Sequence, residues 1–320
     1  MNLHNLLIIS IVFFMTTMLT NGIAELIYHH IAINKKPKAQ PYKTNIVHSE
    51  HQCFAYCMHD QQCYAFGIHY EKLQHSCHFY NQSTPKHHLA STKSRSQYYS
   101  EFRDCQDWYD YGVRASGVYQ VNWMGRVTMD VRCNMGIDDG GWMTLQRRFN
   151  GSLLFHNRTW EGYKKGFGKI QGEFWFGLDL MHEMTSSGEY FFLAVAETFQ
   201  GKRGISKYGH FEIENEENFY KLHFNETLLE GIHSLYNKNA KHNANGMKFT
   251  TADHDNDNDD KNCAKQKERG AFWFNDCHPF HPNGLYFKEK NCIIGIAGLK
   301  WPQFNGYDCL KSIEMLVKKM

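Results

Sequence analysis

A mixed fold of strands and short helices, divided between two disulfide-stapled domains, is what the sequence predicts. Three observations carry this. The ten cysteines fall into two groups, Cys53 to Cys77 and Cys105 to Cys309. Strongly apolar runs such as Glu189–Thr198 mark strands that lie inside a sheet. Short segments such as Trp160–Lys165, followed by glycines, mark helices of a turn or two.

The chain has 320 residues, enough for two domains of ordinary size. Hydrophobic residues make up 42%, so a core can be buried. Lys and Arg total 35 against 33 Asp and Glu, which argues against a nucleic-acid partner because no basic excess or stripe is seen. The 20 histidines are scattered and read as solvated surface groups.

Residues 1–24 read as a signal peptide. Leu6–Thr20 is apolar or uncharged but short for a membrane span, and Gly22 and Ala24 suit a cleavage site. No second run of spanning length follows, so the expectation is a secreted, extracellular protein without a stable membrane span. In that compartment an even cysteine count favours disulfides. Sequons at Asn81, Asn150, Asn157 and Asn225 offer N-glycosylation sites.

In the first domain, 25–103, Cys53 and Cys57 share one face of a short helix. The segments from Cys63 and from Cys77 then alternate like strands, and Gln97–Phe102 offers another. One helix stapled to strands resembles the PAN/apple module. Four cysteines allow three connectivities. The resemblance implies Cys53–Cys77 and Cys57–Cys63. Polar residues from Ser83 to Ser100 set the boundary near 100–104. There is no repeat, heptad run or collagen-like segment.

In the second domain, 104–320, Gly140-Gly141 reads as a turn, Trp142–Phe149 as a strand and Trp160–Lys165 as a helix ended by Gly166 and Gly168. These blocks, with Gly172–Gly177, Gly246–Cys277 and Asn283–Tyr286, resemble a fibrinogen C-terminal domain over more than 200 residues. That family includes fibrinogen chain termini, ficolins, tachylectins, tenascin termini and angiopoietin-like ligands. The resemblance implies an α+β fold, a twisted antiparallel sheet with short helices and an irregular calcium-binding subdomain. It also implies Cys105–Cys133 and Cys263–Cys277 bridges. Cys292 and Cys309 have no counterpart in the family pattern and, as the last two, are expected to pair.

The run Asp253–Asp260 is the sharpest chemical signal. Alternating oxygen donors can converge on Ca²⁺, which takes six to eight of them. It is not an EF-hand, because neither the glycine nor the final glutamate falls in register. On composition alone a solvated acidic loop is the favoured reading. The family resemblance implies calcium held by the Asp255 and Asp257 carboxylates and the Asp259 and Lys261 carbonyls. It places a ligand pocket beside that loop, with Trp273 and Phe274 as an aromatic wall, Asp276–Cys277 as a cis peptide and His278 as a polar contact. Where acetyl-binding members carry a Tyr, this chain has Lys267, flanked by Gln266, which suits an anionic ligand.

No nucleophile elbow, zinc helix or P-loop is present, so no enzymatic activity is expected. Two functional classes remain. One is a calcium-supported lectin for glycans or acetylated or anionic groups, acting in innate immunity. The other is a signalling or adhesion ligand for a cell-surface receptor. Single lectin sites are weak, so a homo-oligomer would suit the first.

Overall fold

The computed structural model describes residues 28–33, 35–60, 62–70, 74–82, 89–92, 95–236, 242–266, 269–277, 279–290 and 298–320. The expected signal segment therefore lies outside the described residues, as do Lys267, His278 and Cys292. The chain divides into two units, one running to Val113 with Gln120–Asp130, the other comprising Arg114–Tyr119 and Val131–Met320.

The first unit is built on β1 (Tyr28–Ile33), β2 (Lys35–Pro37), β3 (Lys43–Val47), α1 (Glu50–Met58), β4 (Ala65–Tyr70), β5 (His75–Tyr80), β6 (Leu89–Ser91), β7 (Ser96–Glu101) and α2 (Cys105–Tyr111). Five strands form one antiparallel sheet in the order β1-β7-β4-β5-β3, and β2 pairs with β6 as a separate ribbon. Strand alternation gives the sheet two faces. Phe66, Ile68, Cys77 and Phe79 join Val47 in one core, against the buried cysteines of α1. Ala65, Tyr80 and Tyr98 join Ile31, Leu89 and Phe102 in another. Cys53 is bonded to Cys77 and Cys57 to Cys63. The sheet has five strands where the sequence suggested fewer, because β1 and β3 are edge strands too polar to stand out.

The β8 (Gly117–Trp123) and β9 (Val127–Asn134) segments have residues in both units. The second unit continues with β10 (Trp142–Arg148), α3 (Trp160–Lys165), β11 (Phe167–Gly168), β12 (Phe174–Trp175), α4 (Leu178–Thr185), β13 (Tyr190–Thr198), β14 (Arg203–Tyr208), β15 (Glu212–Ile213), β16 (Leu222–His223), β17 (Glu230–Gly231), α5 (Pro302–Asn305) and β18 (Leu310–Lys319). Its main sheet runs β11-β12-β10-β18-β13-β14-β17, all antiparallel. The ten residues of β18 lie between β10 and β13, pairing Met143 with Val317 and Leu193 with Leu316.

Local chemistry explains these elements. Gly140 and Gly141 both have positive φ, 70° and 74°, as the turn before β10 requires. Thr159 caps α3 by accepting the Gly162 N–H, and Gly166 ends it at φ 86°. Behind α3, Tyr163, Trp175, Phe249 and Trp273 pack edge to face or tilted, with centroids 5.0–6.3 Å apart. This aromatic layer underlies the segment that carries the candidate site. Cys105, Cys133 and Cys309 are each disulfide-bonded. Among the described residues no helix is long and apolar enough to cross a membrane.

Candidate functional site

The site is the loop 251–266 and the segment 269–277, closed on each other by a Cys263–Cys277 disulfide with Cα atoms 5.2 Å apart. At its base, Thr250 and Phe272 exchange backbone hydrogen bonds of 2.9 and 3.1 Å. The loop is anchored to the start of α3. The Asp253 carboxylate accepts the Trp160 N–H at 2.9 Å and the Thr251 hydroxyl at 2.7 Å. The Trp160 ring meets His254 edge-on at 4.5 Å.

Asn256 turns inward, donating its amide to the Phe249 carbonyl at 2.8 Å. Its neighbours Asp255 and Asp257 are left as the acidic pair. Asp255 is exposed and Asp257 half-buried. The Asp257 carboxylate accepts the N–H of Asp259 at 3.1 Å and of Cys263 at 2.9 Å. Its carboxyl is pushed up to about 6, first by burial and then by nearby Asp255, against the pull of those two bonds. Asn258 ties the loop across to Asn275 through two 2.8 Å bonds.

Gln266 braces the same loop. Its amide donates to Asp259 Oδ1 at 2.9 Å and to the Lys261 carbonyl at 2.6 Å. Asp255, Asp257, Asp259, Lys261 and Gln266 are thus brought into one structure. The residues fit a hard cation in their chemistry, since two carboxylates and two carbonyls are all-oxygen donors. The grouping of Asp259 with Cys263 and Cys277 is not a thiolate site, because those two sulfurs are bonded to each other.

Two expectations are corrected. Trp273 and Phe274 do not form an open wall. Both are fully buried, and the Trp273 indole donates to the Tyr220 carbonyl at 2.7 Å. They belong to the aromatic layer beneath the loop. The Asp276–Cys277 bond is trans, as is every peptide bond among the described residues, and Cys277 instead takes φ 47°. Asp276 and Cys277 themselves are partly exposed beside the disulfide.

Sequence reasoning missed Arg269. Its Nε and Nη1 are shut off from solvent with no hydrogen-bond partner. Burial lowers its pKa, and the charges of Asp259 and Asp257 work against that. No periodicity or motif announces such a group. The four sequon asparagines, Asn81, Asn150, Asn157 and Asn225, are all exposed.

Residues 101–320 match the family of fibrinogen beta and gamma chains, C-terminal globular domain. The chain belongs to the fibrinogen C-terminal domain family. This fibrinogen-related chain is similar to angiopoietin-4 of Bos taurus, 33% identical over 220 residues, 68% of this chain and 43% of that protein. It is also similar to ryncolin-4 of Cerberus rynchops, 36% identical over 208 residues, 65% of this chain and 58% of that one. It spans about half the length of the curated relatives it matches. Among solved structures it resembles the fibrinogen-like globe domain of human ANGPTL2, at TM-score 0.60 and 33% identity, covering 68% of this chain and 99% of that one. A lamprey fibrin D-dimer, complexed with the peptide ligand Gly-His-Arg-Pro-amide, matches at TM-score 0.58 and 26% identity, covering 67% of this chain and 72% of that one. Fibrinogen-related domains of this kind are ligand-binding and non-enzymatic.

Proposed function

We propose that this is a secreted recognition protein whose calcium-supported loop presents a site for glycans or for acetylated or anionic groups, as the lectin-like branch of its family does. The observation that carries the reading is the pairing of Asp255 with a half-buried Asp257, in a loop cross-braced by Gln266, Asn258 and the Cys263–Cys277 bridge. Two carboxylates held this close favour a cation between them. Asp255 and Asp257 with the carbonyls of Asp259 and Lys261 would hold calcium. Calcium bound there supplies a fixed positive charge that neutralises the pair and fastens the loop. The chain's own part is to orient Asp257 through its two N–H bonds and to keep the loop seated on α3 through Asp253.

Arg269 narrows the ligand class. A half-buried guanidinium within reach of the charges of Asp257 and Asp259 adds positive charge beside the loop, which suits a carboxylate or sulfate. Lys267 and His278, outside the described residues, belong to the same reading. The ten cysteines and the sequons support export, and the first unit, with its helix stapled to a sheet, supports a PAN/apple-like module. The peptide held by the lamprey fibrin relative supports ligand capture by this kind of domain. A second reading, an extracellular ligand for a cell-surface receptor, is favoured by the angiopoietin relatives at 31–35% identity.

The test is retention of the secreted protein on N-acetyl-sugar and sialylated resins, with calcium and with EDTA, beside an Asp255→Ala/Asp257→Ala variant. Calcium-dependent retention lost in the variant, together with a loss of the thermal shift on adding calcium, is expected. At a hundredfold excess over Kd calcium should add about 2.7 kcal/mol to the wild type. Saturable binding to cells without resin binding would favour the receptor ligand. No calcium response in the wild type would end the loop assignment.

A further inference from the structure

The cations of this chain are unevenly placed. Residues 26–49 contain Lys35, Lys36, Lys38 and Lys43 and no Asp or Glu. Residues 72–100 contain Lys72, Lys86, Lys93 and Arg95 and again no acid. Since the whole chain nets only +2, the remainder carries more acids than cations. The near-neutral total conceals this segregation.

The fold joins the two acid-free stretches. β2 comes from the first and β6 from the second, with Lys35 opposite Ser91 and Lys36 opposite Ala90. The buried pair Pro37 and Leu89 pins the ribbon down, while Lys35, Lys36 and Lys38 stay exposed. The Ser96 hydroxyl donates to the Lys35 carbonyl at 3.3 Å, which brings the exposed Arg95 alongside. The Arg95 guanidinium lies 4.9 Å over the Tyr70 ring. His69 and His78, with rings 4.4 Å apart, lie on the sheet close by, and Lys36 is near enough to act on His78. Two other cations of this unit are neutralised, Lys43 by Asp60 and Arg103 by Glu101. Lys35, Lys36, Lys38 and Arg95 form no ion pair among the described residues.

We propose that the β2–β6 ribbon, with Lys35, Lys36, Lys38 and Arg95, is a docking face for a sulfated polysaccharide. A linear polyanion answers a row of exposed, unpaired cations. Lysine ammonium groups act as point charges, which suits sulfates spaced along a flexible chain. A single-stranded nucleic acid would call for exposed aromatic rings to stack its bases, and neither β2 nor β6 carries an aromatic residue. Disulfides place the protein in an oxidising compartment, where such polysaccharides are found. The face owes nothing to the calcium loop.

The experiment is salt elution of the full chain from immobilised heparin in EDTA. Parallel columns carry desulfated heparin and single-stranded DNA. Wild type should elute from heparin above physiological salt and pass through desulfated heparin. Lys35→Ala/Lys36→Ala/Lys38→Ala should flatten the slope of log affinity against log salt by about 2–3. Adding Arg95→Ala should flatten it further. Lys169→Ala/Lys288→Ala/Lys290→Ala, which removes three exposed cations from the other unit, should elute like wild type. Equal melting temperatures show that each variant is folded. Equal elution of the two triple variants would overturn the proposal. Loss of wild-type retention in EDTA would do the same, as would DNA retention matching heparin.

Discussion

Glu173 is the residue whose loss should be felt furthest. It is 2% exposed, and its two oxygens accept the N–H groups of Phe149, Asn150, Gly151 and Leu153 at 2.7–3.0 Å. Arg148, 1% exposed, lies 3.8 Å away. Burial alone would raise this carboxyl, but the backbone bonds and Arg148 together hold it below its usual range. Glu173→Ala leaves four N–H groups without an acceptor and a buried guanidinium without its counter-ion. One orphaned buried donor costs about 1–3 kcal/mol, and breaking a buried ion pair about 3–5 kcal/mol. The groups share one carboxylate, and water entering the vacated space re-pairs some of them, so the costs overlap. The expected loss is about 4–6 kcal/mol, a large share of the ~5–15 kcal/mol that holds a domain folded. Glu173→Gln keeps the shape and one acceptor and should cost about half as much. The consequence reaches the site, because residues 149–153 lead into α3, whose Trp160 N–H seats Asp253. Urea unfolding at fixed calcium, following the transition of the second unit, measures both variants. A change under about 1 kcal/mol for Glu173→Ala would refute the account.

Two further outcomes can be measured directly. Arg269→Ala should weaken a carboxylated or sulfated ligand by roughly 10–100-fold, the worth of one charge-assisted hydrogen bond, while leaving a neutral N-acetyl sugar within a factor of two or so; the opposite pattern would remove the anionic ligand class. Burial against Phe102 and Trp108 holds His29 down to about 4, and burial, then His69 and Lys36, does the same for His78. The unfolded chain takes up these protons near pH 6.5 while the folded unit resists until about 4, so stability should fall as pH drops through that window and level off below it. For the pair the loss is roughly 2 kcal/mol after solvent screening. A melting temperature of the first unit that is flat from pH 7 to 4.5 would contradict this.

What the sequence disclosed, and what it hid, follows physical lines. The helix at Trp160–Lys165 was legible to the residue, because Thr159 and Gly166 mark its ends chemically. The Glu189–Thr198 strand was legible from its apolar run, and the structure has Tyr190–Thr198. Strand β18 was not. Its sequence LKSIEMLVKK mixes charges into the apolar run, and its central place depends on β10 and β13, far away in sequence. The acidic run 253–260 drew attention to this loop, but only the fold shows that Asn256 turns inward while Asp257 is half-buried. Phe272–Phe274 has no periodicity to tell inside from outside, so the expected wall proved to be core. Whole-chain charge was the wrong scale on which to look for a basic stripe, since eight of the 35 cations lie in two segments that carry no acid.

The placement of β18 bears on biosynthesis. Residues 310–319 separate β10 from β13, so each of these strands keeps one edge unpaired until the ribosome has translated past residue 319. Until then both present open backbone edges, and pairings across some 170 residues form slowly. Maturation of the second unit is therefore expected to be post-translational and to depend on chaperones that shield those edges, with oxidation of Cys263 and Cys277 best delayed until the final strand has docked.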